Sequence, residues 1–505
     1  MRKVIVYTIY ILLIVGSTLT ACTPRPGKNM MKTGKRPVIY PDYTDITIPE
    51  NIAPLNFLVR NDSCEALEVE VKAADMKETA PCGITVRARG NKAMFNPQEW
   101  KNMLAQMAGR GTPLVVTIRA LINGRWLEYR PFTWNVVKDK IDPYLTYRLI
   151  EPDYEIFNHL SLRERCIENF DERPICDYKK VGNRCMNCHT FANQNPRRSM
   201  MYVRGEGGGA ILNENGVLRK LALKTPDMVS GSVYFGFSPS GRYVTFSTNI
   251  IIPAFHSTPR KRLEVYDKAS DVYVADLKHN TVIRSQQLSD SLTFETFPTF
   301  SPDGKYIYYC SAPHVQLPQE LKQLQYSLCR IAFNEKTGEL GNNVDTIFSA
   351  SHQHQSPNAN RPASVCHPRI SPDGRYLLFT VQDYGTFPIW HRESEQRIID
   401  LKTGKLMMLD NVNSPKSDTY HSWSSNSRWF VFASKRDDGL YGKPYFCYID
   451  RQGHSHKPFC LPQKDPSFYD QCLKSFNAPE LGRGRLPFTA TDVKHAMKQK
   501  GEPFK

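Results

Sequence analysis

Cys185-Met186-Asn187-Cys188-His189 packs more chemistry into five residues than any other stretch of this chain. Two thiols three positions apart, with a histidine directly after the second, match the C-x-x-C-H spacing of c-type haem attachment. In that chemistry Cys185 and Cys188 form thioethers with the two haem vinyl groups, and His189 becomes an axial ligand of the iron. The other reading of the same residues is a structural disulfide or a small metal site. For the sixth position the sequence offers Met200 and Met201, on a predicted strand over residues 199–204, and His256, in a long insertion from Ile250 to Arg262. A methionine would raise the potential and a histidine would lower it; water or an open face is the third option.

Covalent haem requires an exported chain, and the N-terminus predicts export. Arg2 and Lys3 precede an apolar run, Val4 to Gly16, of signal-peptide length and too short for a permanent span. Leu19-Thr20-Ala21-Cys22 then resembles the lipobox of bacterial lipoproteins, which implies cleavage before Cys22 and lipid on that residue. Residues 1–21 are read as a lipoprotein signal peptide and 22–35 as a flexible tether. Lipid would then be the membrane anchor. The expected location is the cell envelope, at the outer membrane facing the periplasm. Thirteen cysteines suit an oxidising compartment. Cys64/Cys82, Cys166/Cys176 and Cys460/Cys472 are near neighbours that could bridge, whereas Cys310, Cys329 and Cys447 sit in apolar runs. The formal charge is +16, but Lys and Arg are spread along the chain without a basic-aromatic strip. That charge reads as solvated surface, biased toward anionic lipid or an acidic partner, and not as a nucleic-acid site.

The elements that must position these groups are strands. Residues 36–141 predict an immunoglobulin-like β-sandwich. Leu67-Glu68-Val69-Glu70-Val71 and Ile84 to Arg89 alternate apolar and polar, and Asn123-Gly124 turns between two further strands. One helix interrupts, capped by Asn96, with Pro97 first and Trp100, Met103, Leu104 and Met107 on one face. Farther on, Phe237-Ser-Pro-Ser-Gly-Arg-Tyr243 returns as Phe300-Ser-Pro-Asp-Gly-Lys-Tyr306 and Ile370-Ser-Pro-Asp-Gly-Arg-Tyr376, and in degraded form as Trp423-Ser-Ser-Asn-Ser-Arg-Trp429. The spacings are 63, 70 and 53 residues, counted from Ser238, Ser301, Ser371 and Ser424. Strand, turn and strand at this period predict the blades of a β-propeller. Residues 142–230 are read as a connector carrying the haem motif and the first blade or blades, 231–475 as the propeller repeats, and 476–505 as a C-terminal tail. Turn formers on both sides of the C-x-x-C-H motif predict a loop there, without the amphipathic helices of a small cytochrome.

The repeats resemble those of TolB-type propellers; four copies are few for closure, so residues 144–221 must supply further blades, and six or seven are expected in all. With Asn187 to Phe191, Ser424-Ser425-Asn426 and Arg436 to Leu440 added, the chain is similar to exported propeller lipoproteins of Bacteroidetes that carry a single C-x-x-C-H. The incomplete copy Ala363-Ser-Val-Cys366-His367 lies at the inner end of a blade strand, and His421 falls one position further along in its own repeat; both predict residues lining the central channel. There is no G-x-S-x-G elbow, P-loop, dinucleotide fingerprint or H-E-x-x-H, so an electron carrier or binding protein is expected over an enzyme. The leading expectation is an envelope-anchored monohaem protein for electron transfer or redox sensing, its propeller docking a protein partner. The alternative is a TolB-like binding module or scaffold without haem.

Overall fold

A computed structural model describes residues 23–27, 30–75, 82–151, 159–258, 261–350 and 363–505. The predicted signal peptide and Cys22 lie outside the described residues. Among those residues, no helix is long and apolar enough to cross a membrane.

The N-terminal sandwich is built on Cys64–Ala73, flanked by Gly83–Arg89 on one edge and Leu114–Ile122 on the other, both antiparallel. Leu114–Ile122 then pairs with Arg125–Glu128 and Phe132–Val137, and the latter with Ile46–Pro49 in parallel. A small second sheet holds Ile39–Tyr40, Phe57–Val59 and Lys92–Ala93. The helix Pro97–Met107 starts where its cap predicts: the Asn96 side chain accepts from Gln98 N and Glu99 N, while Trp100, Met103, Leu104 and Met107 are buried. Trp100 and Trp134 meet edge-on at 5.5 Å, and each indole N–H donates to a backbone carbonyl, so neither buried ring carries an orphan donor.

The rest is a six-bladed propeller. The Ser of each repeat locks the first turn of its blade. Ser238, Ser301 and Ser371 accept from the backbone N–H of Tyr243, Tyr306 and Tyr376 at 3.1, 3.0 and 2.9 Å. In the degraded copy Ser424 is used differently. It accepts from Asp142 N, and the Asp142 carboxylate in turn accepts from Ser425. Asn426 donates to Lys140 O, Trp429 to Asp139 O and Tyr448 to the Asp139 carboxylate. This repeat departed from its pattern because it holds the linker between sandwich and propeller. A single apolar cluster runs across that junction, from Trp134 to Trp429. Asp437, in the Arg436–Leu440 segment, adds a second staple by accepting from Tyr40, Lys443 and Tyr445.

Two sequence expectations are corrected by the first blades. Residues from 476 on do not begin a tail. Ser475–Gly482 is the inner strand of blade 1, antiparallel to Tyr144–Ile150, with Ser161–Cys166 and Glu172–Asp177 outside it, so the two ends of the propeller chain close the ring. The C-x-x-C-H motif is not on a loop. Met186–Ala192 is the inner strand of blade 2, paired with Asn195–Val203. The turn formers that suggested a loop delimit this strand: Gly182 and Asn183 before it, Asn193 and Gln194 after it, all at positive φ.

The cysteines whose side chains are described are free thiols. Cys64 and Cys82 sit at opposite ends of one strand pair, Cys82 beside Ala73, roughly 30 Å apart at about 3.3 Å per residue. Cys176 lies opposite Leu162, so Cys166 is roughly 13 Å away by the same spacing. Neither pair is near bridging distance. Cys460 is buried in the blade core, and Cys472 points its thiol at Lys474 O.

Candidate functional site: an axial cavity lined by bulged strands

Every inner strand breaks register at its middle. The extra residue falls between Asn187 and Thr190, Val233 and Gly236, Thr296 and Thr299, Cys366 and Arg369, and Thr419 and Ser422. On the closing strand it falls between Asn477 and Glu480. A bulge bends the strand and re-aims a side chain. Here it places Tyr234, Phe297, His367, Tyr420 and Ala478 at φ between 47° and 54°. Each such conformation costs about 1–3 kcal/mol for a non-glycine residue. Repeating that cost around one axis marks the axis as the place where the fold holds particular side chains.

Four of these side chains form a fan. Tyr234 packs on Phe297 with ring centroids 4.4 Å apart, Phe297 on His367 at 4.0 Å, and His367 on Tyr420 at 4.7 Å. Blades 1 and 2 contribute small residue types at the same bulge, Ala478 and Cys188. The axis is therefore filled on one side and open on the other. The opening is a cavity of about 140 Å³. That is space for about five waters, or one small organic molecule.

Blade 3 covers it. Its second and third strands, Tyr243–Thr258 and Lys261–Asp276, run sixteen residues each. Ile251, Pro253 and Val265 on this hairpin, with Phe387, Ile389 and Trp390 from blade 5, form the apolar end of the cavity wall. The hairpin is held to blade 5 by polar groups. Glu264 accepts from Tyr384 OH at 2.7 Å and faces His391 Nε2 at 3.2 Å, while His391 Nδ1 faces Glu393 at 2.9 Å. Thr386 donates to Asp267 at 3.0 Å.

Among the described residues, the other end of the wall is polar: Arg148, Arg204, Arg369, Lys435, His189, His367 and His421, with Glu151 and Glu480. Burial pushes the His189 imidazole down to about 4, against the opposing hydrogen bond to Thr146 and helped by Arg148 and Arg369. Burial takes His421 to about 3, with Arg369 adding to it. It carries His367 well below the ordinary imidazole value, aided by His421 and Arg369. All three rings are therefore neutral at pH 7. His421 Nε2 donates to Leu378 O at 3.1 Å and His189 Nε2 to Thr146 O at 3.3 Å. Each bond runs from the second bulge residue of one blade to the second strand of the blade before it. The two histidines occupy equivalent places and staple adjacent blades in the same way.

Of the residues proposed from sequence for the haem, Cys185 and Met201 share one apolar cluster, and His189, Met200 and Met201 line one small void. Cys185 is buried among Ile175, Val181 and Met186 in the apolar cluster between blades 1 and 2, and burial pushes its thiol up. His189 faces the cavity on one side and a void of about 10 Å³ on the other, which Met200 and Met201 also line. The side chains of Cys188 and His256 lie outside the described ones. As folded, the set does not fit a thioether-bound haem. The strand is tied into its sheet on both sides of the bulge, His189 Nε2 is already engaged, and the void beside it holds about one water. His367 and His421 both line the axial cavity.

Sequence reasoning passed over Arg148, Arg204, Arg369 and Trp390. It also passed over a usable signal. Tyr234, Phe297, His367 and Tyr420 each stand four residues ahead of the repeat serine, so the bulge ring was written in phase with the motif.

No protein-family model and no curated protein matches the chain. Among solved structures it is similar to a puromycin-hydrolysing peptidase of Mycobacterium tuberculosis, at 11% identity and a TM-score of 0.36, over 70% of this chain and 52% of that one. It is similar to prolyl oligopeptidase B from Galerina marginata at 11% and 0.34, over 68% of this chain and 42% of that one. A DUF4784 family protein from Bacteroides caccae matches at 5% and 0.29, over 75% of this chain and 96% of that one. The chain thus spans about half or less of the two peptidases' length. It is an all-β protein: an immunoglobulin-like sandwich followed by a six-bladed propeller.

Proposed function

We propose that this chain is a binding protein whose propeller takes a small ligand in its axial cavity, and that Cys22 anchors it by lipid in the cell envelope. The observation that carries the first part is the asymmetric ring of bulge residues: rings of blades 3 to 6 fill the axis, Ala478 leaves it open, and the blade 3 hairpin covers the opening. A ring built only for stability would fill its axis evenly, because an unfilled interior forfeits packing energy. The anchor reading rests on the lipobox-like Leu19 to Cys22.

The monohaem reading rests on the C-x-x-C-H sequence together with the export-type N-terminus, and the strand geometry weighs against it. One experiment separates the two. The protein is expressed with cytochrome c maturation machinery, denatured and stained for haem, and in parallel screened by thermal shift against small metabolites beside an Ile251→Trp variant that narrows the cavity. Ligand-dependent stabilisation of the wild type, lost in Ile251→Trp and without covalent haem, supports the binding reading. Covalent haem on the wild type and no ligand response refutes it. Mass spectrometry of the mature N-terminus tests the anchor, and an unmodified terminus would sink it.

A further inference from the structure

We propose that the segment between Cys22 and the sandwich is a docking seam for an anionic lipid surface, holding one edge of the sandwich against the headgroups. This rests on the anchor reading above and goes beyond it, since lipid on Cys22 fixes where the chain is held but not which face meets the bilayer. From Thr23 to Pro41 the sequence carries Arg25, Lys28, Lys32, Lys35 and Arg36 and no acidic residue. The stretch from 31 on is not the free tether that its composition predicts. Met31–Lys32 pairs in parallel with Leu127 and Glu128. Thr33 N then donates to Glu128 O at 3.0 Å, and Arg130 N donates to Lys35 O at 2.8 Å. Backbone bonds thus lay a basic segment along the open edge of the larger sheet.

The docked part keeps its cations at the surface. Lys32, Lys35, Arg36 and Arg130 are exposed, as is Arg25 ahead of them. Arg36 pairs with Asp45, and Lys32 stands 4.0 Å from Glu128, a carboxylate already bonded to Arg119 at 2.9 Å. Lys32 nonetheless keeps 85% of its side chain in solvent. Met31 and Val38 lie in the same segment and are 60% and 67% exposed. Cations interleaved with apolar groups are what an interfacial anchor uses. The leash selects lipid as the occupant over an acidic protein. Residues 23–30 separate Cys22 from the paired strand, so the seam lies within roughly 30 Å of the lipidated residue. Headgroups are then the negative surface always within reach. Each Lys or Arg brought to an anionic leaflet adds about fivefold in affinity.

The test uses the whole mature chain with Cys22→Ser, so that any vesicle binding belongs to the seam and not to lipid. It is sedimented at pH 7 with vesicles of equimolar phosphatidylglycerol and phosphatidylcholine, and with phosphatidylcholine alone. Binding to the anionic vesicles is expected, with none to the neutral ones, and it should be lost as salt is raised from about 0.1 M to about 0.5 M. Arg25→Gln, Lys28→Gln and Lys35→Gln together should weaken it about 100-fold, three steps of about fivefold. These changes leave the backbone bonds of the seam in place. The same charge removed from exposed propeller turns, by Lys305→Gln, Lys336→Gln and Lys402→Gln, should weaken it less than about threefold. Equal weakening by the two triple variants overturns the proposal, because attraction would then belong to the net charge of the chain. No binding to anionic vesicles also overturns it, and binding to polyglutamate in that case would reassign the seam to an acidic protein. Mass spectrometry of the wild-type terminus judges the anchor separately: an unmodified terminus with seam-dependent vesicle binding removes the anchor and leaves the seam.

Discussion

Neutralising Glu264 should unlatch the hairpin that covers the cavity. Glu264 and His391 are 2% and 1% exposed, and the imidazole presents both nitrogens to carboxylates, Glu264 from the hairpin and Glu393 from its own segment. A ring donating from both nitrogens is an imidazolium. Tyr384 and Asp267 also take part in this junction. In Glu264→Gln one charged hydrogen bond becomes neutral, a loss of about 1.5–3 kcal/mol, which raises the population of the undocked hairpin roughly 10- to 100-fold. Raising the pH should act in the same direction. Burial opposes the charge on His391, but Glu264 and Glu393 more than offset it and hold the proton above the ordinary imidazole value. The folded protein thus binds that proton more tightly than the unfolded chain. Its stabilisation is complete below about pH 6.5 and fades as pH climbs through the raised value. Asp267 adds to this. Burial raises its carboxyl to about 7, so between about pH 4 and 7 the folded state keeps a proton that the unfolded chain has released, and stability falls across that window. The assay is hydrogen exchange by mass spectrometry on peptides covering 243–276, at pH 6 and pH 9 with intrinsic rates corrected. Faster exchange at pH 9, and in Glu264→Gln already at pH 6, is expected in these strands, with blade 4 unchanged. Protection indifferent to both changes would refute the latch.

Phe476→Ala should loosen ring closure. Phe476 is buried on the closing strand, 4.7 Å from the Tyr147 ring, so its loss should cost about 3–5 kcal/mol in urea unfolding, and a cost below about 1 would show that closure does not depend on this contact. Asn96→Ala removes the cap of the sandwich helix and should cost about 1 kcal/mol, with Asn96→Asp close to wild type by the same measurement. Asp437→Ala leaves the nearly buried Lys443 ammonium without its main partner and should cost about 3 kcal/mol while opening the sandwich–propeller junction to limited proteolysis; an unchanged cleavage pattern would argue against that staple.

The propeller, the sandwich and the helix with its Asn96 cap were legible in the chain because their signals are local. A turn serine five residues ahead of the residue it locks, or a cap two or three residues from the N–H groups it serves, is visible at close spacing. What needed the tertiary structure was pairing between distant segments. Tyr144–Ile150 meets Ser475–Gly482 more than three hundred residues later, and no period announces it. The same limit governs the cysteine motif. C-x-x-C-H is defined by spacing alone, and spacing does not say whether the backbone will curl as a cytochrome requires or extend. Here Asn195–Val203 and a bulge take Met186–Ala192 as an inner strand, sending Cys185 into the apolar cluster and His189 to the axis. Arg369 was unremarkable in sequence for a related reason. Its side chain comes to line a cavity only where the inner strands of the closed ring converge.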